Sequence, residues 1–443
     1  MNFINVKNLY KFKYLLLILV IVLGYLLRSH DLYTWPRTGA TFDEYAWTWQ
    51  GMNLIQSGAP ISWSPHPQYK NAKDVFYNKV HFRLVTPYLE HPPLFGLVAG
   101  SYAIFNGVHN MSDLTVNHVR GLSLILGILS IFIIYLFASE IYGYKIGLLS
   151  AFIYSIVPTI AVGSRIVQNE NFFIPFFLLS LFLISKFVKT KKTIFRNIAA
   201  VICGLLILAK VPWVAASFAA FFILLFLKKY KDIYKFLMIV ISISLLYLVY
   251  GAYYNWDLFI NLWQFQLNRY DMAFNSVFAL FTSPYLVDRF LIDGWIYFGW
   301  VAMFILFTKD LKKNYFVVFP FLAYFLMFVF AIPNEPGHGW YRYPFYPFLI
   351  ISIALFLKDY FVKDYLLTFI YLIVTSLSMF QLSFAQSFGF SYSILRIFIF
   401  TTSLTLLPIF FPRAKKTSNI IAFSMLILIL FLTNWTILNY NEQ

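Results

Sequence analysis

Thirteen apolar stretches dictate most of what this chain can become. They lie near 14–29, 121–139, 146–163, 171–187, 196–209, 211–227, 236–253, 294–308, 314–332, 343–357, 364–381, 394–411 and 419–438. A helix that crosses a bilayer needs about 20 apolar residues. In lipid, every backbone N–H and C=O must find its partner within the segment or in a closed barrel. Only 12% of the 443 residues are charged and 60% are hydrophobic, about half the charge of an ordinary soluble domain. The sequence therefore predicts an all-α membrane protein of about thirteen transmembrane helices.

The basic residues set the expected orientation. The formal charge is +16, but it is spread in small clusters between apolar runs, which excludes nucleic acid as a partner. One further apolar stretch, 92–108, holds two prolines and three glycines. If it does not cross and the N-terminus is cytoplasmic, the inner segments carry 21 of the 34 Lys and Arg, as the positive-inside rule requires. The segment 92–108 is accordingly expected to be interfacial or re-entrant. The first apolar run follows Lys7, Lys11 and Lys13, as in a signal peptide. Arg28-Ser29-His30 follows it rather than a small-residue cleavage site, so it reads as an uncleaved span. The one cysteine, Cys203, lies within an apolar run and says nothing of the redox compartment.

Two segments are too long to be simple connectors, 30–120 and 254–293, and both fall on the outer side. They divide the chain into an N-terminal module, 1–253, with the functional outer loop, and a C-terminal module, 254–443. The first loop carries Thr41-Phe42-Asp43-Glu44-Tyr45 among aromatic residues. A half-buried carboxylate there can act as general base on a hydroxyl. Four further groups share the outer side. Glu90-His91-Pro92-Pro93-Leu94 reads as a helix start, with His91 placed to meet a phosphate or a metal. Arg165 and Glu170 flank a short turn, Lys210 tips a pair of spans, and Tyr341-Arg342 opens another. An arginine can grip phosphate with two parallel hydrogen bonds. Each also has an ordinary reading as a surface ion pair, a snorkelling lysine or an interfacial anchor. There is no Walker A loop, GxGxxG, HExxH or CxxC, so an activated donor must arrive by another route, such as a lipid carrier.

The order of these motifs is similar to a known one. A first span is followed by an outer-loop Asp-Glu, a Pro-Pro-Leu, and Arg120 opening the next span. Then come Tyr142-Gly143-Tyr144-Lys145-Ile146-Gly147, the Arg165 to Glu170 turn, Leu208-Ala209-Lys210, and Arg342-Tyr343 with Pro347. The sequence resembles the GT-C class of polytopic glycosyltransferases, in the branch of protein O-mannosyltransferases and the lipid A aminoarabinose transferase. The resemblance implies a GT-C fold whose long extracytoplasmic first loop carries interfacial helices. It implies inverting transfer of a sugar from a polyprenyl-phosphate donor to a lipid, glycan or protein acceptor at the outer face of the cell membrane. Asp43 is then the catalytic carboxylate, with Glu44 beside it. Arg342 and Lys210, then His91 and Arg165, would offset phosphate charge, with Tyr341 and Glu170 completing the binding site. Many relatives have Lys where this chain has His91. Asp43, Glu44 and Glu170 are also a candidate oxygen ligand set for a divalent metal, Mg or Mn. The competing class is a transporter or flippase of lipid-linked saccharides, which would show repeated halves and matching interrupted helices. Neither is found.

Overall fold

The computed structural model describes residues 6–77, 80–268, 275–282, 286–287, 291–309, 311–331, 338–377 and 391–439. Every one of the thirteen apolar stretches contains helix. Among the described residues, eight helices are long and apolar enough to cross a membrane by themselves, which makes this a multi-pass membrane protein. The other five stretches form shorter helices, and so does 94–105. A 14-residue helix such as Gly294–Phe307 reaches about 21 Å, short of the ~30 Å hydrocarbon core. The described helices thus confirm a multi-pass all-α architecture but not the expected count of thirteen spans.

Proline punctuation explains part of the shortening. Helices α1 (Val6–Ser29), α2 (Asp43–Ser57), α3 (Leu94–Phe105) and α4 (Val116–Tyr142) come first, followed by α5 (Tyr144–Ile156), α6 (Pro158–Gly163) and α7 (Asn169–Thr190). Val157 is extended and Pro158 starts α6, so one apolar run becomes two helices. Together α5 and α6 form the return leg beside α4. Ser123, near the start of α4, donates to the carbonyl of Arg165, just after α6, at 2.7 Å. Next, α8 (Thr193–Ile207) returns beside α7: Asn169 at the start of α7 donates to the Ala209 carbonyl at 2.9 Å. The opposite end gathers bases, with Glu140 accepting from Lys186 at 2.6 Å and Lys189 at 2.9 Å.

The first loop folds onto the helix ends as α2, α3 and a three-stranded antiparallel sheet that the sequence reading does not contain. Its strands are β1 (Ser62–Trp63), β2 (Lys73–Tyr77) and β3 (Val80–Val85), in the order β1-β3-β2. Helices α2 and α3 meet backbone to backbone. A Cβ on Gly51 would stand 1.7 Å from the Gly96 carbonyl oxygen, and one on Gly100 would stand 2.3 Å from the Met52 nitrogen. Only glycine permits that approach. At 12 residues α3 is too short to cross, and it lies against α2 as an accessory helix.

Candidate active site

A cavity of about 370 Å³ opens where the first loop meets the ends of the long helices. Asp43, His91, Lys210 and Tyr341 all line it. Both long connecting segments contribute, the second through Trp263 and Gln266 on the helix Trp256–Asn268. The walls are largely aromatic, with Trp47, Trp63, Tyr88, Trp213 and Trp340 among them. Met327, Phe330 and Leu267 supply an apolar side, and the last two are exposed. In volume and lining this is an ordinary small-molecule pocket.

Asp43 is the first residue of α2, where the helix dipole favours an acid. It is half-buried, and Gln168 donates to its Oδ2 at 3.1 Å. The same Gln168 amide donates to Thr41 Oγ1 at 3.0 Å, and Gln168 Oε1 accepts from the Trp47 indole at 3.4 Å. No described cation forms an ion pair with Asp43. Its carboxylate is thus oriented by a neutral donor and faces the cavity.

Glu44, one residue on, points the other way. It is fully buried, and Arg120 grips it with Nε to Oε1 at 3.1 Å and Nη2 to Oε2 at 2.9 Å. The Val167 N–H also donates to Oε1 at 3.0 Å. Arg120 in turn donates through Nη1 to the carbonyls of Leu32 and Pro36. This pair clamps α2, α4 and the 165–168 turn together, and Glu44 does not line the cavity. Glu44, expected beside Asp43 at the site, is thus turned into the core, because successive residues at a helix start diverge by about 100°.

Lys210 lies at the cavity wall with Glu170 Oε1 2.8 Å from its ammonium. Its charge also stands over the rings of Tyr341, at 4.9 Å, and Trp213, at 5.3 Å. Asn169 fixes the tip by bonding the Ala209 carbonyl and accepting from the Trp213 indole at 2.6 Å. Glu170 is wholly buried behind the wall. An ammonium has three donors, and Glu170 takes one of them.

Two expected cations stand elsewhere. Arg165 is buried and donates to the carbonyls of Leu27, at 2.8 Å, and Trp35, at 3.4 Å, pinning the end of α1. Arg342 is buried in the wall and donates to the His338 carbonyl at 3.3 Å. Neither lines the cavity, whereas Tyr341 and His338, both shortly before Arg342 in sequence, do. Pro336 and Gly337 of that segment lie outside the described residues. The three acids named as a metal ligand set are separated by their partners, Glu44 on Arg120 and Glu170 on Lys210. No group of three metal-ligating side chains occurs among the described residues.

The sequence reading misses one cluster entirely. His66 Nε2 stands 3.1 Å from Glu90 Oε2 and 3.2 Å from the Gln266 amide nitrogen, and all three residues line the cavity. Tyr88, also in the wall, has its phenol pushed well above the ordinary range by burial and, after it, by the Glu90 charge. It therefore stays a neutral hydroxyl. A lone histidine in a loop carries no spacing signal, so nothing in the sequence links His66 to Glu90.

Residues 90–256 match the family model of dolichyl-phosphate-mannose-protein mannosyltransferases. The fold is similar to that of ArnT from Cupriavidus metallidurans bound to undecaprenyl phosphate, with a TM-score of 0.56 at 12% identity over 96% of this chain and 77% of that one. It is also similar to the Archaeoglobus fulgidus oligosaccharyltransferase tethered with an acceptor peptide, with a TM-score of 0.51 at 14% identity over 94% of this chain. The chain spans only 55% of the length of that oligosaccharyltransferase. The archaeal AglB in complex with an inhibitory peptide and a dolichol-phosphate gives 0.53 at 13% identity, over 98% of this chain and 56% of that one. No curated protein matches by sequence. The fold is thus the GT-C fold shared by these membrane-protein structures. The family match covers residues 90–256, less than half of the chain.

Proposed function

We propose that this enzyme transfers a sugar from a polyprenyl-phosphate donor to an acceptor hydroxyl at the outer face of the cell membrane, with inversion at the anomeric carbon. The observation that carries this reading is the lining of one cavity by the Asp43 carboxylate, oriented by Gln168, together with Lys210 and His91. Asp43 takes the proton of the acceptor hydroxyl as its oxygen bonds to the anomeric carbon. The bond from that carbon to the phosphate oxygen breaks, and polyprenyl phosphate leaves with the electron pair. Lys210 and His91 offset the charge that gathers on the leaving phosphate. Arg342 and Glu170 act one layer back: Glu170 holds the Lys210 ammonium, over which Tyr341 packs in the wall, and Arg342 fixes the backbone of His338. Glu44 and Arg165 hold the loop to the helix ends. The apolar side at Met327, Phe330 and Leu267 suits the first isoprene units of the carrier.

The orientation follows from charge. The end bearing Lys186, Lys189 and Lys191 faces the cytoplasm by the positive-inside rule, so the cavity faces outward. The test is turnover. Purified protein in detergent is given radiolabelled polyprenyl-phosphate mannose, glucose or galactose and a membrane extract as acceptor source. Label in a new glycosidic product, with release of polyprenyl phosphate, supports the reading. Movement of intact lipid-linked sugar across vesicles with no new bond would favour a transporter.

A further inference from the structure

The Glu90 and His66 pair has no part in the transfer step above, yet it is among the most constrained features of the cavity. Glu90 is a carboxylate with only 6% of its side chain exposed. His66 accounts for Oε2, while Oε1 is buried with no hydrogen-bond partner. A carboxylate is acceptor-only, and an unmatched buried acceptor is costly. A ligand that brings an O–H to this point removes that cost.

The backbone around Glu90 is clamped from four sides. Leu89 N–H donates to the Tyr69 hydroxyl at 3.0 Å, and the Tyr247 hydroxyl donates to the Leu89 carbonyl at 2.9 Å. The Tyr250 hydroxyl reaches the Tyr88 carbonyl at 3.3 Å, and the Gln50 amide reaches the His91 carbonyl at 3.2 Å. His66 is fixed as well: Arg83 donates to its carbonyl at 2.8 Å, and its own N–H donates to Ser64 Oγ at 3.0 Å. Such rigidity suits recognition, because little ordering remains to be done on binding. Aromatic faces with a fixed, unfilled carboxylate match a sugar, whose C–H faces lie on rings and whose hydroxyls donate outward.

We propose that Glu90, held by His66, is the sugar-recognition carboxylate of this cavity and that Oε1 accepts a hydroxyl of the sugar being transferred. This rests on the transferase reading and adds to it a polar end for the sugar, formed by residues other than Asp43 and Lys210. The partner chemistry is a vicinal diol, with Gln266 beside the pair for the second hydroxyl.

The test is binding by the purified full chain in nanodiscs, using undecaprenyl phosphate alone and undecaprenyl phosphate carrying mannose, glucose or galactose. Each of the three sugars offers at least one vicinal pair of equatorial hydroxyls. Wild type should bind at least one sugar-bearing lipid more tightly than the bare carrier. Glu90→Gln keeps the shape but loses the charge, and charged acceptors bond about twice as strongly as neutral ones. It should lose about tenfold in affinity for the sugar-bearing lipid and nothing for the bare carrier. His66→Gln should fall between, with the bare carrier again unaffected. Equal losses for bare and sugar-bearing lipid would make Glu90 a structural residue and overturn the inference. So would the absence of any gain from all three sugars, or an effect of Glu90→Gln confined to the KM of the acceptor. If no protein binds even the bare carrier, the transferase reading itself falls, and the inference with it.

Discussion

Glu44→Gln separates the two acids of the Asp43-Glu44 pair most sharply. The structure makes Glu44 a buried counter-ion and Asp43 a cavity wall. Gln at 44 keeps the size, and an amide oxygen in place of Oε1 still accepts from both Arg120 Nε and the Val167 N–H, whereas the amide NH2 in place of Oε2 faces Arg120 Nη2 with no acceptor to offer. Arg120 is left as a wholly buried guanidinium without its charge partner. Breaking a buried pair by removing one member costs about 3–5 kcal/mol. The retained oxygen argues for the low end, about 3 kcal/mol. Large domains lose roughly 2 °C of midpoint per kcal/mol, so the apparent melting point should fall by about 6 °C. The assay is the surviving monodisperse fraction after heating in detergent, for wild type, Glu44→Gln, Arg120→Gln and the double variant. Arg120→Gln should cost more than Glu44→Gln, because the carbonyls of Leu32 and Pro36 lose their donor as well. The double variant should be less damaged than the sum of the singles, since two amides can bond one another. Below the melting point, Glu44→Gln should keep turnover within a few-fold of wild type. An unchanged melting point with abolished turnover would refute this assignment and return Glu44 to the chemistry.

Further perturbations reach other parts of the site. Lys210→Met should weaken binding of bare polyprenyl phosphate by about tenfold, in line with the loss of one charge-assisted contact. Arg342→Lys should change that affinity less than Lys210→Met does, because Arg342 stands behind the wall; the reverse order in a binding titration would bring Arg342 into the phosphate site. Gly51→Ala places a methyl 1.7 Å from the Gly96 carbonyl oxygen, so α2 and α3 must separate. Both melting point and turnover should drop, and a wild-type profile would contradict the packing. For orientation, the one native cysteine, Cys203, is buried and gives little background. Cysteine placed at exposed Lys73 should react with an impermeant reagent in intact cells, and at exposed Lys191 it should not.

The apolar runs made the helices legible, because a lipid-borne helix is written in uninterrupted hydrophobicity. Their lengths were less so, since interruptions such as Val157-Pro158 divide a run without changing its hydropathy. That Asp43, His91, Lys210 and Tyr341 share one cavity follows the sequence expectation that all four lie on one side of the membrane. Arg165, Arg342 and Glu44 come from the same sequence segments as the cavity residues, but whether a side chain at such an element end faces the cavity or the core depends on its rotation about the backbone. A sequence read without packing does not give that rotation. The sheet of the first loop and the His66–Glu90 contact were hidden for a related reason, being tertiary pairings between segments with no shared period.

The central claim is that Asp43 is the base of a glycosyl transfer, and one comparison tests it most directly. Wild type and Asp43→Asn are purified, shown to bind bare polyprenyl phosphate equally, and then measured for single-turnover formation of a glycosidic bond from the best polyprenyl-phosphate sugar. Asparagine keeps the Gln168 contact within reach but cannot accept the proton. The rate should therefore fall by about 10²–10⁴-fold, the usual share of general-base catalysis, with carrier binding intact. Transfer by Asp43→Asn at the wild-type rate would contradict the account.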